Sequence, residues 1–154
     1  MSSHQELINT LYQAFQRLDY KTMASCYHAD ATFKDEVFNL EGKEISAMWH
    51  MLCAKAQDFE LDYQVINPHS NLSVNWQANY LFSQTNRPVN NIITARFEFK
   101  DGLIIKHIDK FDFWRWSRQA LGLSGVLLGW TPFLRKKVSQ LAKQNLQRFM
   151  AKNP

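Results

Sequence analysis

Residues 99–116, "FKDGLIIKHIDKFDFWRW", hold a turn and a strand from which the rest of the fold can be read. "KDG" at 100–102 is a hairpin signal, because a two-residue turn that follows strand twist needs positive φ, which Asp and Gly tolerate. Before it, Ile93, Ala95, Phe97 and Phe99 place an apolar residue at every second position. After it, Leu103, Ile105, His107, Asp109, Phe111 and Phe113 share one parity, and Lys106, Lys110 and Asp112 take the other. The hairpin's second strand thus carries a histidine and an aspartate on its core-facing side.

Upstream, the period of two persists. "FELDYQVI" (59–66) alternates apolar and polar residues, as do Val74, Trp76, Ala78, Tyr80 and Phe82 with their neighbours, and "QTNRPVN" (84–90) reads as a turn or loop. Before residue 59 the period is helical. Leu7, Ile8, Leu11, Tyr12, Phe15 and Leu18 form one stripe of a first helix, and Asp19 can cap a short second one, "YKTMASCYH". A third follows Gly42, with Ile45, Met48, Trp49, Leu52, Cys53 and Ala56 on its apolar side. Between them "ADATFKDEVF" alternates as a brief strand. Helices followed by an antiparallel meander predict an α+β domain with helices on one face of the sheet.

A chain of 154 residues, 45% hydrophobic, is the size of one domain with a sizeable core. Cys26 and Cys53 lie in helical patterns without metal-ligand spacing, so buried thiols in a reducing compartment are expected. The N-terminus lacks a basic segment followed by an apolar core, and no apolar run approaches a membrane span, which predicts a soluble cytoplasmic protein. Charge is unevenly placed: residues 1–112 hold 10 Lys/Arg and 14 Asp/Glu, residues 113–154 hold 8 Lys/Arg and no acid. Such asymmetry fits a nucleic-acid arm, an anionic membrane contact or a helix lying on an acidic body.

Polar residues on the apolar parity are the candidates for chemistry. His107 and Asp109 share the core face of the last strand, and Asp35 shares the face of Ala31 and Phe33. A carboxylate among apolar side chains costs several kcal/mol unless paired, hydrogen-bonded or protonated. One reading places Asp35 and Asp109 in a cavity, where desolvation raises their pKa into the range of acid–base catalysis, with His107 tuning Asp109. The other is a satisfied His107–Asp109 pair, with Asp35 near a wet rim. The strand carries no Ser or Cys nucleophile, so a nucleophilic triad is not expected. Trp49, Trp76, Tyr80 and Phe97 would shape a pocket. His4, His28 and His50 show no metal-site spacing, and no Gly-rich phosphate loop occurs.

The element order, together with "FQRLDYKTMASCYHADATFKDEVF" and "FKDGLIIKHIDKFDFWRW", resembles the SnoaL-like branch of the nuclear transport factor 2-like superfamily over about residues 5–118. The resemblance implies a curved antiparallel sheet wrapped around a long helix, a cone with a deep apolar pocket, often dimeric through the sheet. Polyketide cyclases, ketosteroid isomerases and limonene-epoxide-hydrolase-like enzymes belong there, as do pocket proteins with no known reaction. Asp35 matches the general base of the isomerases, and Asp109 the terminal aspartate of the epoxide hydrolases and the catalytic carboxylate of the cyclases. Other positions depart. Tyr12 stands one position from the isomerases' tyrosine, Ala95 stands near their protonated aspartate, and Trp76 and Ala78 replace the hydrolases' Arg-x-Asp.

Residues 1–118 are therefore expected to form the pocket domain, and 119–154 a basic helical extension. In the extension Leu134, Val138, Leu141, Ala142 and Phe149 form a stripe, which predicts a helix docked on the body or on a second subunit, ahead of an anionic membrane contact. Nucleic acid comes third, since the basic residues lack interleaved aromatics. The functional expectation is a cofactor-free isomerase, cyclase or hydrolase acting on a small apolar molecule, with a non-catalytic ligand-binding module as the alternative.

Overall fold

A computed structural model describes residues 2–67 and 72–154. The first amphipathic stripe becomes α1 (Ser3–Gln16), opened by Ser2, whose hydroxyl accepts the Gln5 N–H. Asp19 caps α2 (Tyr20–Ser25), accepting the Thr22 N–H at 3.1 Å. Gly42, at φ +57°, turns the chain into α3 (Lys43–Lys55), which buries Ile45, Met48, Trp49, Met51 and Cys53. The strands are β1 (Tyr27–Lys34), β2 (Asn39–Glu41), β3 (Glu60–Asn67), β4 (Ser73–Phe82), β5 (Arg87–Lys100) and β6 (Leu103–Lys110). They form one sheet in the order β2-β1-β6-β5-β4-β3. α1 and α3 pack into its concave face, which gives an α+β cone.

The sheet is mixed. β3 to β6 make the antiparallel meander, but β1 pairs with β6 in parallel, Phe33 opposite His107. The connection from β1 to β6 passes through most of the domain, which leaves room for that orientation. The turn at 101–102 forms as the sequence requires, with Asp101 at φ +53° and Gly102 at φ +76°. β5 begins at Arg87, so the loop expected over 84–90 contracts to a turn in which Asn86 takes positive φ.

Parity along β6 is broken once. Glu98 pairs with Lys106 but Phe99 pairs with Ile104, leaving Ile105 as the extra residue of a bulge. Ile104 is buried and Ile105 is not, the reverse of the simple alternation, while His107 and Asp109 remain on the core side. The strand ends at Lys110 rather than continuing through Phe113. Asp112 accepts the Arg115 N–H and starts α4 (Phe113–Leu121), so Phe113 joins Val89, Trp116 and Ala120 in a second apolar cluster. On the outer face Glu98 meets Lys106 at 3.5 Å.

Beyond α4, Gly122 at φ +70° leads into α5 (Leu123–Leu128), and Thr131 caps α6 (Pro132–Lys152). α6 lies on the body of its own chain. Leu134 and Leu146 are buried, Arg135 reaches Glu36 at 3.3 Å, and the Ser139 hydroxyl donates to the Val37 carbonyl. Phe149 packs edge-on against His50, which stacks on Tyr20. Both cysteines are buried and free, and burial pushes their thiols up to about 11.

Candidate active site

The bulge in β6 and the parallel register of β1 bring four polar side chains into line. Tyr27, the first residue of β1, places its hydroxyl 2.8 Å from His107 Nδ1. His107 Nε2 lies 2.8 Å from Asp109 Oδ1, which also accepts the Trp76 indole N–H at 3.4 Å. Burial keeps the Tyr27 hydroxyl protonated, with the negative charge of Asp109 acting in the same direction. A neutral imidazole would accept the Tyr27 O–H at Nδ1 and donate Nε2–H to the carboxylate, the tautomer that uses both contacts. Phe33, Phe97 and Trp49 surround the ring, Phe97 at 4.2 Å between centroids. His107 and Asp109 are only 1% and 4% exposed, and this network is what makes their burial tolerable.

Asp109 faces an open-mouthed cavity of about 560 Å³ lined mainly by apolar side chains of α1, α3, β4 and the C-terminal helices. Asp35 faces the same cavity. It sits in the turn after β1, where Oδ1 accepts the Val37 N–H at 2.8 Å and the Phe38 N–H at 2.6 Å. Those bonds favour the carboxylate, but loss of solvent outweighs them. With the nearby charges of Asp109 and Glu36 adding to the effect, Asp35 is pushed up to about 7. The residue keeps a partly exposed edge, and that edge opens into the cavity. Across the pocket, the Trp116 indole donates to the Tyr80 hydroxyl at 3.0 Å.

Five of the seven side chains singled out from sequence line the cavity together: Asp35, Asp109, Trp49, Trp76 and Tyr80. His107 and Phe97 stand one layer behind the wall, His107 supporting Asp109 and Phe97 packing on His107. The Trp49 N–H points toward Tyr27 outside hydrogen-bond geometry. Ala95 lies directly opposite Asp109 in the ladder, so the position that could hold a second acid there carries a methyl. Tyr12 has a buried hydroxyl with no hydrogen-bond partner among the described residues, and burial followed by Asp109 keeps it protonated.

Three sets of network and cavity-lining residues are not evident from the sequence. Tyr27 falls at the end of a helical pattern, and only the early start of β1 turns it inward. The stripe of Leu134, Val138 and Leu141 predicts docking alone, whereas these side chains also complete the pocket wall with Trp116 and Leu128. Buried Asn91, another lining residue, lies just past the stretch read as a loop.

The model of the SnoaL-like domain matches residues 8–107, which is most of the cone and includes Asp35 and His107. The chain belongs to the SnoaL-like domain family. Solved structures agree on the fold. A candidate polyketide cyclase from Silicibacter superposes with a TM-score of 0.67 at 19% identity, covering 77% of this chain and 95% of that one. An LEH-like epoxide hydrolase from Mycobacterium tuberculosis gives 0.65 at 16% identity over 82% and 96%. A Catenulispora acidiphila protein of ketosteroid isomerase-like fold, in complex with trimethylamine, gives 0.67 at 15% identity over 82% and 98%. A search of curated proteins returned no match. Within this SnoaL-like chain, α5 and α6 lie beyond the matched residues and still form part of the pocket wall.

Proposed function

We propose that this SnoaL-like protein is a cofactor-free acid–base enzyme, of isomerase, cyclase or hydrolase type, acting on a small apolar molecule in the cone. One observation carries the reading: Asp35, held near neutrality, faces the same apolar cavity as Asp109, whose other side is tied into a hydrogen-bonded network. A carboxyl that titrates at about 7 is present in both forms at neutral pH, the condition for efficient proton transfer in either direction. In the isomerase or cyclase case one carboxylate removes a proton from carbon and the other carboxyl returns one to the developing oxygen or carbon, leaving the proton count unchanged. In the hydrolase case one carboxylate takes a proton from water as the water oxygen bonds to an electrophilic carbon, and the other carboxyl gives its proton to the oxygen whose bond to carbon breaks. His107 acts as a positioning residue for Asp109. A substrate screen followed by a pH–rate profile tests this: an inflection near 7 that is lost in Asp35→Asn supports it, and full turnover in both Asp35→Asn and Asp109→Asn overturns it.

A second reading, a non-catalytic binder of a hydrophobic molecule, draws on Ala78 and Ala95, which leave the relatives' catalytic sets incomplete. Under it, ligand retention by native mass spectrometry persists in both asparagine variants and no substrate is turned over.

A further inference from the structure

Among the described residues eleven large apolar side chains are exposed, and eight of them fall between Trp114 and Leu141. Leu123 is 74% exposed, Leu127 60%, Trp130 69% and Phe133 67%. The cause is local. Gly125 and Gly129 occupy the side of α5 that faces α4, where an added Cβ would lie 1.9 Å from the Ser117 carbonyl oxygen and 2.0 Å from Ser117 Oγ, respectively. α5 therefore packs by its glycines and turns its leucines outward, the reverse of a solvated helix. The α4–α5 segment also satisfies its own polar edges: the Trp114 indole N–H donates to the Val126 carbonyl and the Trp130 indole N–H to the Leu127 carbonyl. The segment's own charge has one sign, since residues 113–154 hold eight Lys/Arg and no acid, and Glu36 of the body neutralises only Arg135. Arg118 covers the Trp114 ring at 4.4 Å, and Arg135, Lys136 and Lys137 follow Phe133 within one helical turn.

We propose that this face docks on an anionic lipid bilayer, with Leu123, Leu127, Trp130 and Phe133 entering the boundary between headgroups and acyl chains and the basic residues meeting lipid phosphates. Charge complementarity selects this occupant. A second copy related by a two-fold axis would bring one predominantly basic face against another, and nucleic acid gives no use to exposed leucines. No helix among the described residues is long and apolar enough to cross a membrane, so the contact is interfacial. Leu128 and Phe133 also line the pocket, beside Leu52, Lys55 and Lys137. Docking thus turns the pocket's rim to the bilayer, and the molecule it accepts is drawn from the lipid phase; that last step rests on the pocket reading above, whereas docking does not.

The test is flotation of the full chain with phosphatidylcholine vesicles, with and without phosphatidylglycerol, at low and high salt. The expected result is salt-sensitive flotation only when phosphatidylglycerol is present. Leu127→Glu and Trp130→Glu should abolish it with an unchanged circular dichroism spectrum, and Lys136→Ala should weaken it about fivefold. Asp109→Asn should float like the wild type, so a failed pocket reading leaves this result untouched. No flotation at low salt, or equal flotation of Leu127→Glu, overturns the proposal. So does a sedimentation-detected dimer that Leu127→Glu dissociates, which assigns the face to a second copy.

Discussion

β6 and α5 break the inside–outside rule in opposite directions. β6 buries a histidine and an aspartate among aromatic rings; α5 and the turn after it, residues 123–130, bury glycines and expose leucines and a tryptophan. The exceptions differ in how they are resolved. On β6 the polar atoms find partners within the chain, in the order Tyr27, His107, Asp109 and Trp76, and what remains open is a cavity. On α5 nothing among the described residues covers the apolar surface. A buried polar residue with a complete network therefore points inward, to chemistry in a pocket, while an exposed apolar cluster points outward, to a partner.

The contrast breaks most visibly at Asp109. Asp109→Asn keeps the volume and one acceptor oxygen but removes the carboxylate, and turnover of an identified substrate should fall by at least about 100-fold. If only the melting temperature falls, the network is structural and β6 loses its functional meaning. The matching break in α5 is Gly125→Ala. Its Cβ would meet backbone atoms of Ser117 and Arg118, which cannot swing away as a flexible side chain would. The substitution should destabilise the α4–α5 contact by about 1–3 kcal/mol, read as a lower melting temperature and faster proteolysis near residues 122–129.

These two regions were unequally legible in the sequence. Alternation placed His107 and Asp109 on the core face, and the family resemblance supplied the cone, because strand parity and turn chemistry are local properties. The parallel β1–β6 pairing was not legible, since it depends on which distant strand closes the sheet. Nor was the bulge at Ile105, which costs one residue of register and leaves no compositional mark. The tail shows a different limit. Its stripe of Leu134, Val138 and Leu141 announced a docking helix, but whether that helix covers a groove or a pocket mouth depends on tertiary placement. The exposed α5 could be foreseen only by knowing that Gly125 and Gly129, rather than Leu123 and Leu127, face α4.

Asp35 sharpens the comparison through pH. Its carboxyl is raised from an ordinary value of 3.8 to about 7, so between those limits the folded chain holds a proton that the unfolded chain releases. Stability from this group is therefore full below about pH 4 and falls as pH rises toward 7. Asp35→Asn stays neutral and keeps an acceptor for the Val37 and Phe38 N–H groups. It should match the wild type near pH 3 and exceed it by about 4 kcal/mol above pH 7 in denaturant titrations. An equal gain at both pH values would mean that packing, not ionisation, separates the two proteins.

The smallest effect belongs to Tyr27, the outermost member of the β6 network. Tyr27→Phe removes the donor to His107 Nδ1 and keeps the ring between β1 and the core. Stability should fall by about 1 kcal/mol. Its functional signature is sharper than its energy. Without the Tyr27 proton, Nδ1 can carry its own, Nε2 can lose its role as donor to Asp109, and the carboxylate loses its orientation. The expected result is a lower kcat and a displaced pH–rate profile with KM unchanged, whereas Trp130→Glu, on the other exception, leaves both the profile and kcat for a soluble substrate as they were. A Tyr27→Phe variant with wild-type kcat and profile would confine the network's role to making the burial of Asp109 tolerable.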